Sequence, residues 1–368
     1  MQHVWSKFAK LLVDYCTAIK QLDEVLIASS YEAYPLIVEL YKEIVKRGAY
    51  PRLVINDEVL NEIFYRYAPH QLLEYLSPID KYTMENIDVR ISILSSTHTK
   101  PLISIDPERR KIREKALKEL REIFMKREST GSLRWTVTAY PTRALAQESN
   151  MSPLEFEEFV IKAIKLHVED PLAAWLEQAK KQQRIVEFLS KVDEIRILDS
   201  DTDLLLKVGG RTWINDDGKN NMPGGEVFTA PHEDSVEGYI TFTYPAIYSG
   251  TEVEGIKLVF RRGEVVESKA MKGDEFLRKM LEVDEGAKRV GEFAFGLNYD
   301  INRFTKQILF DEKIGGTMHL ALGASYLKTG GKNSSAIHWD MIKDLGKASV
   351  YADKELVYKN GKFIEEVL

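Results

Sequence analysis

The hydrophobic pattern of this 368-residue chain changes period near residue 191, and that change limits the fold more than any other feature. Before it, continuous apolar runs alternate with segments of helical period. After it come short runs of period two, punctuated by glycine. One core seldom grows past roughly 250–300 residues, so two domains are expected, 1–190 and 191–368.

In the first half, apolar residues at helical spacing (Phe8, Leu11, Leu12, Tyr15, Ile19) precede a buried strand at 24–30. A helix at 32–46, ended by Gly48, leads to a second strand at 52–57, which makes a β-α-β unit and argues for a parallel sheet. Residues 58–85 read as helical, 88–94 and 133–138 as strands, and 107–127 as a surface helix. Ser152-Pro153 opens a further helical stretch, broken near Asp170-Pro171. In the second half, strands are expected at 194–198, 203–208, 238–243, 255–260 and 265–270. Gly209-Gly210 and Arg262-Gly263 are read as hairpin tips, and helices are expected near 274–297. The predicted class is an α/β N-terminal domain with a parallel sheet, followed by an α+β, β-rich catalytic domain.

Composition excludes several functions. Lys and Arg number 51 against 57 Asp and Glu, a net charge of -6, which disfavours wrapping a phosphate backbone. Arg109, Arg110, Lys111 and Arg113 are interleaved with acids and read as a solvated face. Ser29-Ser30-Tyr31-Glu32 lacks the glycines of a dinucleotide loop. No run of 18 apolar residues suggests a membrane span, and no apolar signal core precedes Lys10, so a cytoplasmic location is expected. Cys16 is the only cysteine, which rules out an internal disulfide and a cysteine-based zinc site.

Histidine and carboxylate placement points to metal chemistry. His338-Trp339-Asp340 puts an imidazole and a carboxylate on one face of an extended segment. His319 lies among glycines and small apolar residues, where it needs a hydrogen bond or a metal. Glu292, in Gly291-Glu292-Phe293, and Glu226, after Pro223-Gly224-Gly225, sit in equally apolar settings. Mixed oxygen and nitrogen donors suit Zn, Mn or Co. Five such side chains exceed the usual three of an open catalytic zinc, and suffice for two ions about 3.5–4 Å apart. A metallopeptidase, a two-metal phosphoesterase and a metal-stabilised, non-enzymatic interaction protein all remain open on these residues.

A set of longer motifs occurs in the second half. They are the run from Pro223 to His232, then Asp284-Glu285-Gly286-Ala287, Gly291-Glu292, Leu309-Phe310-Asp311-Glu312-Lys313, His319-Leu320-Ala321-Leu322-Gly323 and His338-Trp339-Asp340. In this order they closely resemble the thermophilic-aminopeptidase family of dinuclear metallopeptidases, the leucyl aminopeptidase-like enzymes. Trp135 and Tyr140-Pro141-Thr142 extend the resemblance into the first half. The resemblance implies a homodimer that releases N-terminal residues from peptides with a free N-terminus, by attack of a metal-bridging hydroxide. The implied ligands of two divalent ions are Glu226, Glu292, His319, His338 and Asp340, with Glu292 favoured as the bridge and as a proton carrier. Tyr326 is the implied catalytic tyrosine, and Glu312 a candidate for supporting the ligands. The segment between Tyr326 and His338 is abbreviated relative to the family.

Overall fold

The computed structural model describes residues 2–368. Contacts divide it into two units. One holds the chain up to Leu172 together with Lys219–Met222, and the other holds Ala173–Gly218 and Pro223–Leu368.

The first unit is built on a parallel sheet, as the β-α-β pattern requires. Strands β1 (Glu24–Ser29), β2 (Tyr50–Ile55), β3 (Val89–Leu94) and β4 (Arg134–Ala139) lie in the order β2-β1-β3-β4. Val25, Leu26 and Ile27 are all buried, because a central parallel strand is covered on both faces. The helix Pro153–Ala163 starts with a capping box, Ser152 accepting from the Glu155 N–H while the Glu155 carboxylate accepts from the Ser152 N–H. The expected surface helix at 107–127 is two helices, Pro107–Ala116 and Lys118–Ser129. Neither buries a residue fully, and Leu120, Ile123 and Phe124 rest on Leu26, Met84, Ile87 and Leu133.

The second unit begins at Ala173 within the helix Pro171–Leu189, whose Ile185, Val186 and Leu189 join its core. Next come β5 (Glu194–Asp199), β6 (Thr202–Lys207) and β7 (Ile214–Asp216). The short β8 (Asn221–Met222) returns to the first unit and pairs in parallel with β4. The remaining strands are β9 (Glu226–Thr229), β10 (Glu237–Thr241), β11 (Ala246–Tyr248), β12 (Thr251–Val253), β13 (Lys257–Arg261), β14 (Glu264–Lys269), β15 (Val290–Gly296), β16 (Thr317–Gly323), β17 (His338–Asp344), β18 (Ser349–Ala352), β19 (Glu355–Lys359) and β20 (Lys362–Phe363). They form an antiparallel sheet β14-β13-β10-β6-β5-β18-β19-β20, a second antiparallel sheet β17-β16-β15-β9-β7, and the hairpin β11-β12. One apolar core draws on both large sheets, with Ile197, Leu204 and Leu258 from the first and Phe293, Leu320 and Met341 from the second.

Two local expectations are corrected. Arg262-Gly263 does close the β13-β14 hairpin, but Gly209-Gly210 is no hairpin tip. Both edges of β6 are taken by β5 and β10, so the chain must leave for the other sheet. The helical reading of 274–297 holds for Asp274–Leu281 and the turn Glu285–Lys288, then fails at β15. That strand is buried along its whole length, and such a run lacks the polar alternation that marks a strand in sequence. No described helix is long and apolar enough to cross a membrane.

Candidate metal centre

Strand alternation in the five-stranded sheet separates core from chemistry. Val227, Phe293, Phe295, Met318, Leu320, Leu322, Trp339 and Met341 enter the core. Their sequence neighbours Glu226, Glu292, His319, His338 and Asp340 therefore project from the opposite face. Four adjacent strands, β9, β15, β16 and β17, thus present all five expected ligands on one surface.

Glu292 reaches that surface through an irregularity. Val290 faces the core, so strict alternation would send Glu292 there too. The β15-β16 register slips between Val290 and Glu292, and the slip reverses the parity. Gly291 permits it, because a Cβ there would lie 2.2 Å from the Gly323 carbonyl oxygen. Ala321 pairs with Glu292 on one side and Asp340 on the other, and its methyl group leaves the space between the two carboxylates open. Glu226 is set by Gly225, whose φ of 119° disfavours any side chain and whose Cβ would strike the Asn298 Cβ at 2.5 Å.

The two imidazoles converge on Glu292. His319 Nε2 is 3.3 Å from Glu292 Oε1, and His338 Nε2 is 3.4 Å from Glu292 Oε2. His338 Nε2 also lies 3.5 Å from Asp340 Oδ1, while its Nδ1 meets the Ala324 carbonyl at 2.8 Å, which fixes the ring. Glu226 Oε2 is 3.8 Å from His319 Nε2. Glu312, His319 and Asp340 each offer a ligand atom within 4.8 Å of the others, which draws Glu312 into the group.

Behind the carboxylates lies a lysine that the motif reading left without a role. Lys313 is completely buried, and its Nζ reaches Glu226 at 2.7 Å, Glu312 at 2.7 Å and Asp216 at 3.3 Å. Asp216 comes from β7, where Asn215-Asp216-Asp217-Gly218 reads in sequence as a turn. The only signal for Lys313 was its position after two acids in an otherwise apolar stretch.

The field of this cluster is strongly negative. Burial alone would lower the pKa of His319, yet the bond to Glu292 and the charges of Glu226, Glu292 and Asp340 raise it to about 9. His338 is raised as well, against burial, by Asp340 and Glu292. Burial would raise Glu292, but the two imidazoles hold it down at about 2. Burial outweighs Lys313 at Glu226 and pushes that carboxyl up to about 8. Lys313 itself, although desolvated, is held well above its usual value by Glu226, Glu312 and Asp216.

Tyr326 follows β16 at the rim, half-exposed rather than in the core. Its ring stands edge-on to His338 at 5.3 Å, and the Phe228 ring lies 5.7 Å from it. Burial of the hydroxyl and the charge of Glu292 raise the phenol's pKa, so it keeps its proton. The other histidines lie elsewhere. His70 pairs with Glu74, His98 accepts from the Lys100 N–H, and His232 meets the Gly209 carbonyl.

These residues fit divalent metal. Glu226 Oε2 and Asp340 Oδ1 are buried without a hydrogen-bond partner, a costly arrangement for polar atoms. A carboxylate and imidazole donor set suits Zn, Co or Mn. A family model described as thermophilic metalloprotease (M29) matches residues 1–363. Aminopeptidase 2 of Geobacillus stearothermophilus is 28% identical over 97% of this chain and 94% of its own length. Aminopeptidase AmpS of Bacillus subtilis (strain 168) is 26% identical over 97% of each. The fold is like that of wild-type AmpT from Thermus thermophilus, with a TM-score of 0.86 and 24% identity over 98% of this chain and 99% of that one. With almost its whole length matched, the chain belongs to the M29 family of thermophilic metalloproteases.

Proposed function

We propose that this protein is a metal-dependent aminopeptidase whose centre holds two divalent ions among Glu226, Glu292, Glu312, His319, His338 and Asp340. The observation that carries the reading is the convergence of two imidazoles on the two oxygens of Glu292. A carboxylate so placed would be able to help hold two ions, one beside each imidazole. Charge supports the number. Asp216, Glu226 and Glu312 contact the single ammonium of Lys313, and Glu292 and Asp340 contact the imidazoles. With neutral imidazoles the four uncompensated negative charges equal the charge of two divalent cations.

Such ions supply a water of lowered pKa and polarise the scissile carbonyl. The chain's own groups do the rest. Tyr326 Oη, protonated and at the rim, donates a hydrogen bond to the negative charge that develops on the carbonyl oxygen. Lys313 holds Glu226 and Glu312 in fixed orientations. The free amino terminus of a peptide needs an anionic or metal-bound anchor in this centre, and that requirement selects an exopeptidase reaction. A phosphoesterase is disfavoured because the lysine of the cluster is held by its three carboxylates and is not offered to a phosphate. We place the enzyme in the cytoplasm as a homodimer, as the family resemblance implies, with residues 191–368 as the catalytic domain.

Chelated protein should not hydrolyse leucyl-p-nitroanilide, and Zn²⁺, Co²⁺ or Mn²⁺ should restore hydrolysis, with the N-acetylated substrate untouched. Turnover that survives complete metal removal, or equal cleavage of the blocked substrate, contradicts the proposal. Tyr326→Phe should lower kcat about 10²–10³-fold with bound metal unchanged, the usual effect of removing one oxyanion donor. An unchanged kcat would remove Tyr326 from the chemistry.

A further inference from the structure

The face of β17 that carries His338 and Asp340 continues to Ile342, and there a recess of about 170 Å³ opens. Its apolar walls are Pro245, Ile247, Phe304, Ile308 and Ile342, and Asp340 forms the side shared with the metal centre. We infer that this recess receives the side chain of the substrate's N-terminal residue and selects medium-sized apolar ones, leucine and phenylalanine over alanine. The inference rests on the aminopeptidase reading above.

Position comes first. Residues two apart on a strand are separated by about 7 Å. A peptide whose carbonyl lies at the Asp340 end would therefore carry its first side chain toward Ile342. Chemistry comes second, because the charged groups on the side of the recess away from Asp340, those of Asp311 and Lys306, are engaged elsewhere. Asp311 Oδ1 accepts from the Thr305 N–H at 2.7 Å and from its hydroxyl at 2.8 Å. Lys306 Nζ is bound to Glu252 at 2.7 Å. Gln307 and Asp340 add polar edges, and the greater part of the surface left for an occupant is hydrocarbon. Size comes third. An apolar cavity of about 150 Å³ holds a benzene molecule, so an isobutyl or benzyl group fits here and a methyl group leaves a void. The walls are also preformed, since Phe304 stacks on Tyr244 at 5.1 Å and Asp311 fastens the next residue.

The test compares kcat/KM of the metal-loaded enzyme for leucyl-, phenylalanyl-, alanyl- and arginyl-p-nitroanilide. It adds calorimetric affinities for L-leucine and L-alanine hydroxamates, which need no turnover. Leucine and phenylalanine should exceed alanine by about 10-fold or more. Ile247→Trp and, at the exposed mouth, Ile308→Trp should each bring the leucine-to-alanine ratio close to one, with metal content as in the wild type. A flat profile, a preference for arginine, or ratios unmoved in both folded variants overturns the recess while leaving the aminopeptidase in place. If no substrate is cleaved, the enzymatic reading fails. The hydroxamates then decide the recess alone, and equal affinities overturn it.

Discussion

Replacing His319 with alanine should reduce kcat/KM by at least about a thousandfold and lower the bound metal per chain. The imidazole is fully buried, and its Nε2 is turned toward Glu292 and Glu226. Loss of a group that merely orients a metal ligand costs roughly 10–100-fold in affinity or activity, and removing a ligand must exceed that. Asp340→Ala should behave alike, because Asp340 and His319 belong to the same group of donors. Elemental analysis of the purified variants, beside steady-state kinetics and circular dichroism, separates lost metal from a lost fold. A folded His319→Ala protein with a full complement of metal would displace His319 from the centre.

The second large effect concerns stability. Lys313→Met should lower the melting temperature by about 10 °C in the presence of chelator, and by less when divalent metal is in excess. The ammonium is wholly enclosed and touches three carboxylates. Removing one partner of a buried ionic group costs about 3–5 kcal/mol, because the remaining charge is stranded. Lys313 belongs to the unit formed by Ala173–Gly218 and Pro223–Leu368, and in a folding unit of that size each kcal/mol moves the transition by about 2–4 °C. Added cations would supply part of the missing charge, so the difference between wild type and variant should narrow as they bind. An equal deficit with and without metal would mean that Lys313 and the ions do not share the same carboxylates.

Legibility followed the physics of each element. The β-α-β start and the capped helix at Ser152 are local patterns, and period and cap chemistry are written in consecutive residues. The shared surface of Glu226, Glu292, His319, His338 and Asp340 was read through motif resemblance, since no spacing in one sequence tells which strands become neighbours. Strand β15 was misread because Phe293 and Phe295 are buried on one face while Glu292 and Ala294 are buried on the other, which erases the polar alternation. The slip at Gly291 depends on the approach of a distant carbonyl and has no local signal. Lys313 and Asp216 were missed for a related reason. A buried lysine is legible only through its partners, and those come from β7, β9 and its own neighbour Glu312.

The arrangement of ligands over β9, β15, β16 and β17 has a dynamic consequence. The donors are spread over four strands, so ions held as proposed would act as a rivet through all of them. Motions that leave those strands paired, such as fraying at β20, proceed regardless of metal. With ions so held, any opening that parts β15 from β16 would first have to surrender the rivet, and should become rarer as free metal rises. Amide protons in the middle of these two strands should consequently exchange on the clock of metal release.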